Sequence, residues 1–183
     1  MLTAVEKGDA KELAELMRQN PGFSVNQQGV DRDTLLHHAC KADWRSAVIP
    51  LLLAHPDIDV NSKNVHGSTP FYIACFYERP SCVRELLKDA KEKVNECNNH
   101  GYTPLWLCRL DIIKLWIASG REIDLGKPGD VDKTDAIGIA QKRGKTRMVT
   151  LLERFKSDAA KTRSEVRKEL ESMVSIISFF SID

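Results

Sequence analysis

The chain has 183 residues, enough for one folded domain, and its 27 basic and 26 acidic side chains leave a formal net charge of +1. That balance argues against a whole-protein attraction to nucleic acid, and no run is long and apolar enough to cross a bilayer, which takes about 20 residues. Five cysteines, at 40, 75, 82, 97 and 108, form no paired spacing. They exclude a disulfide framework and point to a reducing compartment, the cytosol or the nucleus.

The first 26 residues carry two short amphipathic stretches, Leu2, Ala4 and Val5 before Gly8, then Leu13, Leu16 and Met17. The opposite face holds Glu6, Lys7, Lys11, Glu12, Glu15 and Arg18. Such a polar outer face suits the end of a stack, because nothing covers it. The opening residues lack the apolar core of a signal peptide.

A phrase then recurs. Thr34-Leu35-Leu36-His37-His38-Ala39 returns as Thr69-Pro70-Phe71-Tyr72-Ile73-Ala74 and as Thr103-Pro104-Leu105-Trp106-Leu107-Cys108, at intervals of 35 and 34 residues. Eight residues before each threonine stands an asparagine preceded by valine: Val25-Asn26, Val60-Asn61 and Val94-Asn95. Gly67 and Gly101 supply the positive φ of a tight turn between asparagine and threonine. Threonine then caps a helix whose first position tolerates proline. Fourteen residues after the threonine comes a second helix, with Val48 and Leu51-Leu52, or Val83 and Leu86-Leu87, on one face. Each unit is turn, helix, turn, helix, and cannot bury its apolar face alone.

The fourth unit is abnormal. From Thr103 to Ile113 is 10 residues, where the other copies have 14. A shortened, distorted first helix and a weak point in the stack are expected there. Residues 122–130, with two glycines and a proline, form a long irregular turn. In the fifth unit Asp135 takes the capping place, followed by Ala136, Ile137, Ala140, Gly144, Met148 and Leu151-Leu152. Residues 157–183 read as a charged helical tail whose apolar end, 173–180, is expected to fold back over the last unit, the alternatives being a frayed end or a segment that docks on a partner.

Thr69-Pro70, Ala74, Leu86-Leu87 and Val94-Asn95, repeated in phase, closely resemble the ankyrin repeat. The resemblance covers residues 1–156, divided near 1–26, 27–60, 61–94, 95–125 and 126–156. It implies an all-α solenoid of four to five stacked helix-turn-helix units with β-hairpin-like turns, the fourth truncated. It also implies a protein-interaction module that binds through the turn tips and the exposed ends of the first helices, which line a concave groove. By position the tips are Val30, Asp31, Asp33, Val65, His66, Ser68, Asn99, His100 and Tyr102, and the helix ends Lys41, Ala42, Phe76 and Tyr77. Two adjacent aromatics cannot both face a core, since helix neighbours differ by about 100°. Phe76, Tyr77 and Tyr102 are therefore expected as a central aromatic patch, flanked by His66 and His100. The alternative, that the aromatics pack on the next unit, rests on the gap left by the short fourth copy. In size and repeat number the chain also resembles the ankyrin-type inhibitors of cyclin-dependent kinases; a third reading is an adaptor fragment of a larger protein.

Catalytic chemistry is not expected. His37-His38 and Cys40 lack a second ligand pair at zinc spacing, and the resemblance places His37 in the turn–helix hydrogen bonding. Cys75 and Cys108 read as core. Lys127 and its neighbours lack the phosphate-loop spacing. The basic run 142–147 has no interleaved aromatic and reads as a solvated helix face. The partner is a protein, with no cofactor, metal or small-molecule substrate, and the chain is read as a monomer.

Overall fold

The computed structural model describes residues 1–126 and 134–180, with side chains as far as Met173. Ten α-helices and two 3-10 segments follow one another, and no strand occurs among the described residues. Copy one is α1 (Leu2–Lys7) and α2 (Ala10–Gln19). Copy two is α3 (Leu35–Cys40), a 3-10 segment Asp43–Val48 and α4 (Ile49–Leu53). Copy three is α5 (Pro70–Phe76) and α6 (Pro80–Leu86). Copy four has only a 3-10 turn, Pro104–Trp106, before α7 (Leu110–Ser119). Copy five is α8 (Ala136–Lys142) and α9 (Thr146–Ser157), and α10 (Ala159–Phe180) ends the array.

The helices start where the side chains predict. The Thr34 hydroxyl accepts from the His37 amide at 3.4 Å, the Thr69 hydroxyl from Tyr72 at 3.2 Å, and the Asp135 carboxylate from Gly138 at 2.8 Å. One apolar core runs the length of the stack. Phe71 and Trp116, both fully buried, meet edge-to-face at 5.0 Å between ring centroids. Cys40, Cys75, Cys82 and Cys108 are buried free thiols and Cys97 is exposed.

Two series of hydrogen bonds tie the copies together. Each Val-Asn asparagine reaches forward with both ends of its amide. Asn26 bridges the Asp57 carbonyl and Asp59 amide (2.6 and 2.9 Å), Asn61 those of Lys91 and Lys93 (2.8 and 2.7 Å), and Asn95 those of Glu122 and Asp124 (3.3 and 3.0 Å). Arginines reach back to the C-terminal end of the preceding first helix. Arg45 donates to the Glu6 carbonyl, Arg79 to Lys41 and Arg143 to Trp106, at 2.9, 3.0 and 2.8 Å.

The fourth copy carries the expected distortion. Thr103 makes no side-chain cap, and the four-residue deficit leaves a single 3-10 turn. The Thr103 hydroxyl, the Trp106 indole N–H and both Glu92 carboxylate oxygens are buried without a partner among the described residues. Thr103 and Trp106 belong to the short turn and Glu92 to the end of copy three; each has lost water without gaining a protein partner there.

Helix α10 lies across α7 and α9. Arg163 and Arg167 donate to the Ile117 and Ala118 carbonyls (3.2 and 2.7 Å), and Lys114–Glu169 and Arg154–Glu165 ion pairs flank the contact. Thr162 and Val166 of α10 are both buried in the contact. The apolar end expected over 173–180 lies, beyond Met173, outside the described side chains, as does much of the irregular turn over 122–130.

Candidate interaction face

Three turn tips share one geometry. In each, the first residue's amide donates to the carbonyl four positions on: Gly29 to Asp33, Asn64 to Ser68 and Asn98 to Tyr102, at 3.0, 3.1 and 3.1 Å. The residue before the last is left-handed: Arg32 (φ 58°), Gly67 (70°) and Gly101 (77°). Gly67 is also sterically required, since a Cβ there would lie 2.1 Å from the Asn99 side-chain oxygen. Within two of the tips an asparagine carbonyl gathers two amides: Asn64 takes those of His66 and Ser68, and Asn98 those of His100 and Tyr102, all at 3.0–3.1 Å. Neighbouring tips are then stitched together by Val65 N–H to the Asp31 carbonyl and Asn99 N–H to the His66 carbonyl, each 3.0 Å. The tips are thus a rigid edge, which suits recognition at low entropic cost.

On this edge Val30, Asp31, Val65, His66, Asn99 and His100 are exposed, as expected. Asp33 and Ser68 are not. Asp33 is 6% exposed, paired with Lys41 Nζ at 2.6 Å and accepting from Asn64 Nδ2 at 2.9 Å. Burial pushes its carboxyl up, but Lys41 and Asn64 outweigh this and hold it below the ordinary range. Ser68 is buried, and its carbonyl accepts from His37 Nε2 at 3.0 Å. Both residues stand on the return limb of the tip, where the next helix starts, so their polar groups are spent inside the stack. Ala42 is buried too.

His37 has the structural role that the resemblance implied. Its Nδ1 accepts from the Thr34 amide at 3.1 Å, which leaves Nε2 to donate to Ser68 of the next copy. Burial holds its pKa below the usual value. The Cys40 thiol is pushed well up by burial. A neutral histidine with both nitrogens occupied and a thiol kept protonated do not make a nucleophile pair.

At the helix ends Phe76 is 54% and Tyr77 40% exposed, and their rings meet edge-to-face at 5.1 Å. Tyr102 is half-buried. It lies against Trp106 at 5.6 Å and His100 at 6.4 Å. The rings therefore form two groups, Phe76 with Tyr77 and His100 with Tyr102 and Trp106, and no ring contact joins them among the described residues. The one patch expected from sequence is divided. Tyr102 is drawn inward because the 3-10 turn of copy four carries Trp106 beneath it. One exposed aromatic escaped the sequence reading: Trp44, 68% exposed, with the Arg45 guanidinium 5.7 Å from its ring centroid. Its flanking by the charged residues Asp43 and Arg45 was the available signal.

The family model for ankyrin repeats in three copies matches residues 1–98 and 46–124. The chain belongs to the ankyrin-repeat family. Among ankyrin-bearing relatives, the SMC5-SMC6 complex localization factor protein 1 of Bos taurus is 40% identical over 83 residues, 45% of this chain and 8% of its own. Rabankyrin-5 of Mus musculus is 30% identical over 80 residues, 44% of this chain and 7% of its own. A putative ankyrin repeat protein, R96, of Acanthamoeba polyphaga mimivirus is 29% identical over 55 residues, 30% of this chain and 5% of its own. The chain thus spans less than a tenth of each of these relatives. Ankyrin repeats are in general protein-interaction modules. No helix among the described residues is long and apolar enough to cross a membrane.

Proposed function

We propose that this ankyrin array is a non-catalytic binding module that holds a partner protein against its turn tips and first-helix ends. The observation that carries the reading is the exposed Phe76–Tyr77 pair at the end of α5, where copy two has the ion-paired Lys41 and the buried Ala42. Large aromatic surfaces left in water beside a rigid edge are the usual anchors of protein interfaces. His66, His100, Asp31 and Tyr102 complete the face, and Asp33 and Ser68 support it from within. The module comprises residues 1–156 and acts as a monomer. Its free cysteines, four of them buried, support a reducing compartment, cytosolic or nuclear.

The test is affinity capture from the source cell's lysate, wild type against Phe76→Ala/Tyr77→Ala, read by mass spectrometry after circular dichroism shows both folded. A partner held by the wild type and lost by the folded variant is the expected result. The same partners on both would reject the aromatic pair as the anchor.

A further inference from the structure

Between copies two and three the inter-helix edge is sealed: Ser81 donates its amide and hydroxyl to the Asp43 carboxylate at 2.9 and 2.8 Å. Between copies four and five it is not. The four residues missing before α7 would have formed the inter-helix turn there, and the surviving link is the Arg143 bond to the Trp106 carbonyl. In their place is a groove of about 320 Å³ lined by Arg109, Leu110, Lys145, Arg147 and Met148. It has an apolar floor, Leu110 and Met148, and three cationic walls. It adjoins a trough of about 270 Å³ that shares Leu110 and Arg147 and runs on between α7, α9 and α10, where Glu165 and Glu169, paired with Arg154 and Lys114, also line it.

The cations are not equivalent. Arg109 is shared between Glu78 and Asp111, each at 3.5 Å. Lys145 and Arg147 have no ion pair and no side-chain hydrogen bond among the described residues. Two uncompensated positive charges therefore stand over apolar carbon, in a chain whose total charge is only +1. We propose that this groove is a second docking site, and that its occupant is an acidic segment of a partner protein with an apolar side chain between its carboxylates. The carboxylates neutralise Lys145 and Arg147, and the apolar side chain covers Leu110 and Met148. A nucleic acid fits less well: no aromatic lines the groove for base stacking, and its floor is apolar carbon. The groove shares no lining residue with the turn tips or with Phe76 and Tyr77, and it does not depend on the concave-face reading.

The experiment is fluorescence anisotropy of the full chain with a labelled short peptide alternating glutamate and leucine. Comparison peptides carry glutamine for glutamate or serine for leucine, and a single-stranded oligonucleotide of similar length is titrated in parallel. Lys145→Ala/Arg147→Ala is set against Lys11→Ala/Lys161→Ala, which removes two cations elsewhere, with thermal melts confirming the fold of each. Losing glutamate from the peptide, or the two cations from the groove, is expected to weaken binding by roughly tenfold, as is usual for two exposed charge pairs, and losing leucine to weaken it by roughly tenfold through the apolar burial given up. The distant variant is expected to bind as the wild type does. No binding up to about 1 mM, equal affinity of the groove and distant variants, indifference to the loss of leucine, or preference for the oligonucleotide each overturns the proposal. So does a chain ending at Met173 that binds the peptide when the full chain does not, since the groove would then belong to the chain's own 174–183.

Discussion

Replacing Glu92 by isoleucine is expected to stabilise the array, and by an amount that grows with pH. Three places before the Val-Asn asparagine, copies one and two carry Phe23 and Ile58; in copy four Ile123 takes the corresponding place. Copy three has Glu92, 2% exposed, with both carboxylate oxygens unpartnered. Arg121 is close, but it donates to the Asp89 and Glu92 backbone carbonyls rather than to the carboxylate. Burial, then repulsion from Asp89 and Asp59 against a partial offset from Arg121, raises the Glu92 pKa from 4.5 to about 8. The folded state therefore holds a proton that the unfolded chain has released at neutral pH. Stability falls as pH rises from about 4.5 to about 8, and levels off above. At about 1.4 kcal/mol per pH unit, the lost stability is about 1 kcal/mol at pH 5, about 3 at pH 7 and nearly 5 at pH 9. Isoleucine has no proton to hold, so the advantage of Glu92→Ile should follow that curve. Urea midpoints by circular dichroism at pH 5, 7 and 9 would measure it. A variant less stable than wild type at pH 7, or an advantage that stays flat across pH, would refute the reasoning.

His37 gives the opposite pH dependence: its pKa is lowered in the fold, so its contribution is present above about pH 6.5 and is lost as the pH falls and the unfolded chain takes up the proton. Urea midpoints of His37→Ala should show a loss of about 2–3 kcal/mol at pH 7, from the Thr34 and Ser68 bonds, that narrows towards pH 5; a loss that widens would count against it. Gly67→Ala combines a left-handed backbone with a Cβ 2.1 Å from Asn99. Thermal unfolding should show a loss of at least about 1–2 kcal/mol, with hydrogen exchange accelerated at the Asn99 amide. An unchanged melting temperature would remove the steric argument.

The legible part of the fold was its local chemistry. Thr34, Thr69 and Asp135 announce helix starts because a cap acts within three residues, and the short interval from Thr103 to Ile113 leaves no room for a normal first helix. The illegible part depended on contacts between copies. Asp33 looks like an exposed loop acid until Asn64, 31 residues on, and Lys41 close over it. Ser68 is hidden by a histidine that belongs to the preceding copy. Tyr102 turns inward because of what copy four lacks, and a missing segment does not say which neighbour will fill the space. Phe76 and Tyr77 were readable because the 100° step forces one of two adjacent aromatics outward whatever the rest of the fold does.

The two sets of inter-copy bonds also bear on how such an array can change in length over evolutionary time. Copy three has a complete grammar: Asn61 addresses the copy ahead and Arg79 the copy behind. A tandem duplication of it would meet a familiar neighbour on either side. Copy four can address the one ahead through Asn95, but its Arg109 is engaged with the Glu78 and Asp111 side chains, and it has no inter-helix turn to offer. A second copy of it would add another fault rather than another rung, so the array is extensible in its middle and fixed at its fourth unit.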